Sequence, residues 1–173
     1  MEFENFVLDV DGVLTTSHVL YNKDGMEYKI FGPDDHDALN MLRDKIKIFF
    51  ITSNTRGFEI SKRRIVDEMK FELFLVPFPE RLEWLRNKVD LKKTIFMADG
   101  IMDYKVFREA GYSICPFDAF FKTKKEADFV TQSKGGERAV AEACVHILEK
   151  FFNTKDLEPS KKHGVWGEVS GNK

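Results

Sequence analysis

The sequence predicts a three-layer α/β/α domain built on a central parallel sheet, and three observations carry that expectation. Short β-rich runs alternate with amphipathic stretches along the chain, the pattern of successive βαβ units. The apolar run "KIKIFFIT" at 45–52 is nearly continuous rather than alternating, as expected of a strand covered by helices on both faces. Asp9, Asp11, Thr52, Ser53 and Asp99 all fall at or just past the ends of predicted strands, where open α/β sheets bind ligands.

The elements follow in order. "FENFVLD" (3–9) is the first strand. Residues 17–31 hold two alternating segments joined through Asn22-Lys23-Asp24-Gly25, which reads as a β-hairpin with glycine at the tight turn. It interrupts the alternation early and is an insert. A helix begins near Asp34, after Pro33, with Ala38, Leu39, Met41 and Leu42 at helical spacing. The strand at 45–52 is followed by the helix "GFEISKRRIVDEM", the strand "FELFLVP" and the helix "PERLEWLRNKV" opened by Pro79. Next come the strand "KKTIFMAD" (92–99) and the helix "MDYKVFREAG", with Gly111 expected as its left-handed cap. The strand "YSICP", a short helix at 119–125, the strand "ADFVT" and the helix "GERAVAEACVHILEKFF" complete a Rossmann-like domain.

Composition limits what such a domain does. With 173 residues, 43% hydrophobic and 32% charged, the chain makes one compact domain, assigned to 1–152. The remainder, 153–173, is polar and rich in Gly, Lys and Ser, and is expected to be loose or ordered only by a partner. A formal net charge of -2 without a long basic block argues against nucleic acid or an anionic membrane as partner. No apolar stretch approaches a membrane span, and "MEFENF" has neither a basic n-region nor a cleavage site, so the cytoplasm is the expected address. Cys115 and Cys144 stand alone and read as buried, inert thiols.

The clustered acids point to a chemistry. Asp9 is fixed at a strand end, and Gly12 allows a sharp turn that lets Asp11 face the same space. With Asp99 they make a set of oxygen ligands, Asp9, Asp11 and Asp99, suited to Mg²⁺ with open positions. A carboxylate beside such an ion is able to attack phosphorus, dividing a hard hydrolysis into two easier steps, and Asp9 is placed for it. Asp11, two residues on, would protonate the leaving alcohol and then deprotonate the attacking water. Thr52, Ser53, backbone amides and a basic side chain would meet the phosphoryl oxygens.

These residues resemble the haloacid dehalogenase-like superfamily of phosphotransferases. "DVDG" at 9–12 is similar to its first motif, "ITSN" at 51–54 to its second and "ADGIMD" at 98–103 to its fourth. The resemblance implies Asp9 as nucleophile, Asp11 as acid/base, Thr52 as phosphate binder, Asp99 as metal ligand and Asp103 as supporting carboxylate, with Gly12 and Asn54 completing the motifs. It runs from about Phe3 to Phe152 and is nearest to the small group with little or no cap that includes the 3-deoxy-D-manno-octulosonate 8-phosphate phosphatases. The early hairpin, the "DA" and "EADFVT" run at 118–131 and "GGERAV" at 135–140 carry that narrower likeness. It implies a homotetramer in which the hairpin packs between subunits, and a sugar or sugar-acid phosphate, octulosonate- or acylneuraminate-like, as substrate.

The departures are specific. Arg81 in "PERLEW" stands nearest to the lysine of the third motif, Asp34-Asp35-His36 replaces a typical "RDG", Glu137 falls in a typical "GGRGA", and Gly100 replaces an acid of the fourth motif. They open an alternative: a weakly active or inactive assembly domain of the kind fused to sialic-acid-activating cytidylyltransferases. A phosphoacceptor receiver domain shares the Asp and Thr chemistry but has no place for the hairpin. Individual residues also have plainer readings. Thr52 reads as a cap of the following helix, Arg81 as solvated helix surface, and Asp103 as an early-helix acid favoured by the macrodipole. His18 and His36 read as exposed polar surface, and Lys122, Lys124 and Lys125 as a solvated face.

Overall fold

The computed structural model describes residues 2–154 and Leu157. Beyond Asn153, Thr154 and Leu157, the tail expected over 153–173 lies outside the described residues. The chain runs β1 (Asn5–Asp9), an irregular turn (Val10–Leu14), β2 (Thr15–Asn22), β3 (Gly25–Phe31), α1 (Asp35–Leu42), β4 (Lys47–Thr52) and α2 (Phe58–Lys62). It continues with β5 (Glu72–Leu75), α3 (Arg81–Lys88), β6 (Thr94–Met97), α4 (Tyr104–Phe107), β7 (Tyr112–Cys115), α5 (Phe121–Glu126), β8 (Phe129–Val130) and α6 (Ala139–Phe152).

Six strands form one sheet in the order β5-β4-β1-β6-β7-β8, every pairing parallel. β1 lies between β4 and β6, with Asp9 opposite Ile51 and Leu8 opposite Met97. The chain therefore reverses its direction of sheet growth beside β1, which makes a crevice at the carboxyl ends of β1, β4 and β6. β2 and β3 form the separate antiparallel hairpin. Its turn is tied by Asn22, whose Oδ1 accepts from the amides of Asp24 and Gly25 at 2.8 and 3.1 Å.

Strand alternation explains why β1 is apolar throughout. Phe6 and Leu8 enter a core shared with Leu39, Phe50 and Ile147, whereas Val7 enters a second core with Phe49, Leu85, Phe96 and Phe107. Each such side chain contributes roughly 1.5–3 kcal/mol on burial, so a polar residue anywhere between Phe6 and Leu8 would be costly. On α6, Ala139, Val140, Ala143, Cys144, Ile147 and Leu148 make the buried stripe, and α6 packs against α1. Asp35 at the start of α1 joins the two helices: its Oδ1 accepts from the amide of Ala141 at 2.9 Å. Just before α6, Gly135 presses onto the turn after β1. A Cβ there would lie 1.9 Å from the carbonyl oxygen of Gly12.

Two local expectations are corrected. Gly111 does not adopt a left-handed conformation. It is small because the backbone of Lys92 passes there, with its carbonyl oxygen 2.1 Å from where a Cβ would sit. The helix expected over 57–69 divides, α2 giving way at Arg63 to a wider turn through Glu68. Among the described residues, no helix is long and apolar enough to cross a membrane.

Candidate active site

The crevice at the ends of β1, β4 and β6 opens as a cleft of about 450 Å³ lined by Asp9, Asp11, Thr52, Ser53, Arg81, Asp99 and Asp103. Gly12, Asn54 and Gly100 line it too, so all the predicted site residues meet there. Asp9 ends β1, and its Oδ1 accepts from the amide of Val10 at 2.8 Å. The turn then needs a positive φ, which Gly12 supplies at 81°. Gly12 is also small because Asp99 lies against it: a Cβ would fall 2.1 Å from Asp99 Oδ2.

Arg81 is the cation of the cluster. Arriving from the first turn of α3, its Nη1 donates to Asp9 Oδ2 at 2.8 Å and to Asp103 Oδ1 at 2.7 Å. Its Nη2 donates to Ser53 Oγ at 3.2 Å. The residue is 4% exposed, so the surface-arginine reading does not hold. Asp103 is 1% exposed and its Oδ2 accepts from the amide of Gly100 at 2.8 Å, which closes the loop after β6.

One guanidinium does not neutralise this much negative charge. Burial pushes the Asp9 carboxyl up to about 6, Arg81 opposing and Asp103 adding to the shift. Burial, with Asp9 and Asp103 beside it, pushes Asp99 up to about 8. Burial would pull the Arg81 guanidinium down, but Asp9 and Asp103 outweigh it and hold the group charged. Ligand atoms of Asp9, Asp99 and Asp103 lie within 4.8 Å of one another. Three hard oxygen ligands at this spacing, short of positive charge, suit a divalent cation.

Of the expected ligands Asp9, Asp11 and Asp99, the side chain of Asp11 is turned toward other partners in the same cleft. Lys29 Nζ stands 2.7 Å from Asp11 Oδ1, Thr52 Oγ1 donates to Asp11 Oδ2 at 3.1 Å, and Asn54 Nδ2 donates to Asp11 Oδ1 at 3.3 Å. These donors draw the carboxylate across the cleft, and Asp103 takes its place beside Asp9 and Asp99. Thr52, fully buried, also accepts from the amide of Asn54 at 3.0 Å, a bond within the loop after β4; it does not cap the following helix, which begins at Phe58 after Gly57. Ser53 Oγ donates to the carbonyl of Val76 at 2.8 Å.

Sequence reasoning missed Lys29. The available signal was its parity: in "EYKIF" it lies on the strand face opposite Tyr28 and Ile30. Tyr28 and Ile30 are 57% and 51% exposed, which leaves Lys29 turned inward. His146 is packed into the fold, stacked at 3.8 Å on Phe129 and 2.9 Å from the hydroxyl of Tyr112. His18 is exposed, and Asp34 forms an ion pair with Arg138 at 2.5 Å.

Comparison with known proteins places this geometry among relatives. No protein-family model matches the chain. It is 31% identical over 152 residues to the 3-deoxy-D-manno-octulosonate 8-phosphate phosphatase KdsC of Haemophilus influenzae, covering 83% of this chain and 81% of the relative. Among solved structures, the corresponding phosphatase of Moraxella catarrhalis is 27% identical and superposes with a TM-score of 0.74 over 85% of this chain and 86% of that one. That structure holds a magnesium ion, a phosphate ion and a KDO molecule. A probable YrbI-family phosphatase of Pseudomonas syringae is 25% identical, with a TM-score of 0.77 over 85% of each chain.

Proposed function

Because this chain belongs to the KdsC-like phosphatases of the haloacid dehalogenase-like superfamily, we propose that it is a Mg²⁺-dependent phosphomonoester hydrolase that works through an Asp9 aspartyl-phosphate. The observation that carries the reading is the trio Asp9, Asp99 and Asp103 gathered around Arg81, with Asp11 and Thr52 on the opposite wall of one cleft. Asp9, Asp99 and Asp103 would hold the ion, which when bound supplies Lewis-acid charge to the phosphoryl oxygens. Asp9 attacks phosphorus as the bond to the leaving oxygen breaks, and Asp11 passes its proton to that oxygen. Water then attacks the phosphorus of the aspartyl-phosphate, Asp9 leaves, and Asp11 takes the proton. Thr52, Ser53 and Arg81 orient the phosphoryl group, and Arg81 and Asp103 hold Asp9 in place.

The substrate in this reading is a small sugar or sugar-acid phosphate resembling 3-deoxy-D-manno-octulosonate 8-phosphate or an acylneuraminate 9-phosphate. The relatives' reaction and the size of the cleft support it. A homotetramer built through the hairpin is part of the same reading, supported by Leu20, Tyr28 and Ile30, each more than half exposed on that insert. The catalytic domain spans 1–152, and the free buried thiols Cys115 and Cys144 suit the reducing cytoplasm.

Asp9→Asn tests the chemistry. It should fold as the parent does and lose turnover of an aryl phosphate by at least about 10²-fold; retained turnover removes Asp9 as nucleophile. A panel of phosphorylated sugars and sugar acids, assayed with Mg²⁺ and with a chelator, tests the rest alongside mass measurement in solution. If no substrate gives chelator-sensitive phosphate release, the inert assembly domain is the better reading.

A further inference from the structure

The hairpin contributes a side chain to the cleft. Lys29 of β3 has no exposed side-chain surface, and its Nζ stands 2.7 Å from Asp11 Oδ1 and donates to Ser61 Oγ at 2.7 Å. Ser61 is itself fixed, donating to the carbonyl of Gly57 at 3.2 Å. The lysine stem passes directly over Gly57, where a Cβ would meet Lys29 Cε and Met26 Sδ, each at 2.5 Å. A charged side chain held this way is built in: an ammonium group loses its water only where several partners replace it.

The consequence falls on the two oxygens of Asp11. Oδ1 faces two nitrogen donors, Lys29 Nζ and Asn54 Nδ2 at 3.3 Å, neither of which is able to accept a proton. Oδ2 faces one hydroxyl, Thr52 Oγ1 at 3.1 Å, which rotates and is able to donate or accept. Asp11 keeps 30% of its side chain exposed, so the pinned carboxylate still reaches the cleft.

We propose that Lys29 is a positioning residue for proton transfer: with Asn54 it pins Oδ1 of Asp11 and leaves Oδ2 to carry the proton to the leaving oxygen and from water. The hairpin thereby governs the acid/base step as well as offering an apolar surface. This rests on Asp11 being the acid/base group. In the first half-reaction the Asp9–phosphorus bond forms, the bond from phosphorus to the leaving oxygen breaks, and the Oδ2 proton moves to that oxygen. In the second, water's oxygen bonds to phosphorus, the Asp9–phosphorus bond breaks, and one water proton moves to Oδ2.

The test compares leaving groups. Phenyl phosphate needs a proton on its departing oxygen, whereas 2,4-dinitrophenyl phosphate does not. Lys29→Met keeps the length of the stem and removes the cation. It should lower kcat on phenyl phosphate by roughly 10- to 100-fold, the scale of acid/base assistance. The dinitrophenolate burst, which reports attack by Asp9 alone, should stay within about threefold of the parent, since the departing oxygen takes no proton. Ser61→Ala, which removes the anchor of Nζ, should lower kcat on phenyl phosphate by less and leave the burst within the same threefold, and it stands in if Lys29→Met does not fold. Equal loss in burst and phenyl phosphate turnover, or no loss in either, overturns the proposal. Asp11→Asn run beside them isolates the underlying reading: if it too fails to separate the two leaving groups, Asp11 is not the acid/base group.

Discussion

Replacing Arg81 by methionine removes the guanidinium and keeps most of the side-chain volume. In the parent, Nη1 lies 2.8 Å from Asp9 and 2.7 Å from Asp103, with all three side chains at most 10% exposed. Without it, carboxylates whose ligand atoms lie within 4.8 Å of one another face each other alone. At an effective dielectric of about 20, each ionised pair at that separation repels by roughly 3.5 kcal/mol. Breaking a buried ion pair from one side costs about 3–5 kcal/mol in general, which agrees. At about 2–4 °C per kcal/mol for a chain of this size, the chelated variant should unfold roughly 6–20 °C below the parent. The loss should be largest above about pH 8, where Asp99 is ionised, and smaller below about pH 6, where protons on Asp9 and Asp99 replace the missing cation. Added Mg²⁺ should stabilise the variant more than the parent, because a divalent ion relieves the same repulsion. Thermal unfolding by circular dichroism, in chelator and in Mg²⁺, measures all of this. A variant within about 2 °C of the parent at the higher pH, or an equal gain from Mg²⁺ in both proteins, would refute the account of Arg81 as the balancing charge.

Two further predictions concern the ends of this framework. Asp35 is 2% exposed and burial pushes it up to about 7, with Asp34 adding to the rise and Ala141 and Arg138 opposing it. The folded state thus holds a proton that the unfolded state releases near pH 4. Stability should fall as pH rises through that window, by at most about 1.4 kcal/mol per pH unit. In saturating Mg²⁺, Asp35→Asn should flatten the dependence of melting temperature on pH, and an unchanged slope assigns it to other groups. Gly12→Ala should weaken Mg²⁺ by about 10-fold or more, since its Cβ would drive Asp99 from the cluster. Titration of Mg²⁺ by calorimetry reads this directly, and a parent-like affinity removes Asp99 from the site.

Legibility followed the range of the forces involved. β1 and β4 were readable because burial on both faces forces a continuous apolar run, and the hairpin because Asn22 and Gly25 satisfy a local turn. Boundaries were less so: α4 keeps only Tyr104–Phe107 of a longer helical pattern. Gly111 was misread because a close approach by Lys92, distant in sequence, leaves the same mark as a cap. The meeting of the site residues in one cleft follows from their positions at strand ends, which local pattern reveals. The direction of Asp11 does not, because Lys29, Thr52 and Asn54 decide it together from three segments of chain. Arg81 was identifiable through its likeness to a basic position; its burial between two acids required the packed α3.

The seat of Gly135 on the carbonyl of Gly12 has a bearing on how the molecule comes into being. Translation delivers the amino-terminal residues first, at about 5–20 residues per second, so β1 and the turn carrying Asp11 emerge long before the stretch that braces that turn. A nascent chain halted ahead of residue 135 carries Asp9 and Asp11 on a bend that Gly135 does not yet brace. Competence on the ribosome therefore arrives late, when the segment leading into α6 has been made and has docked.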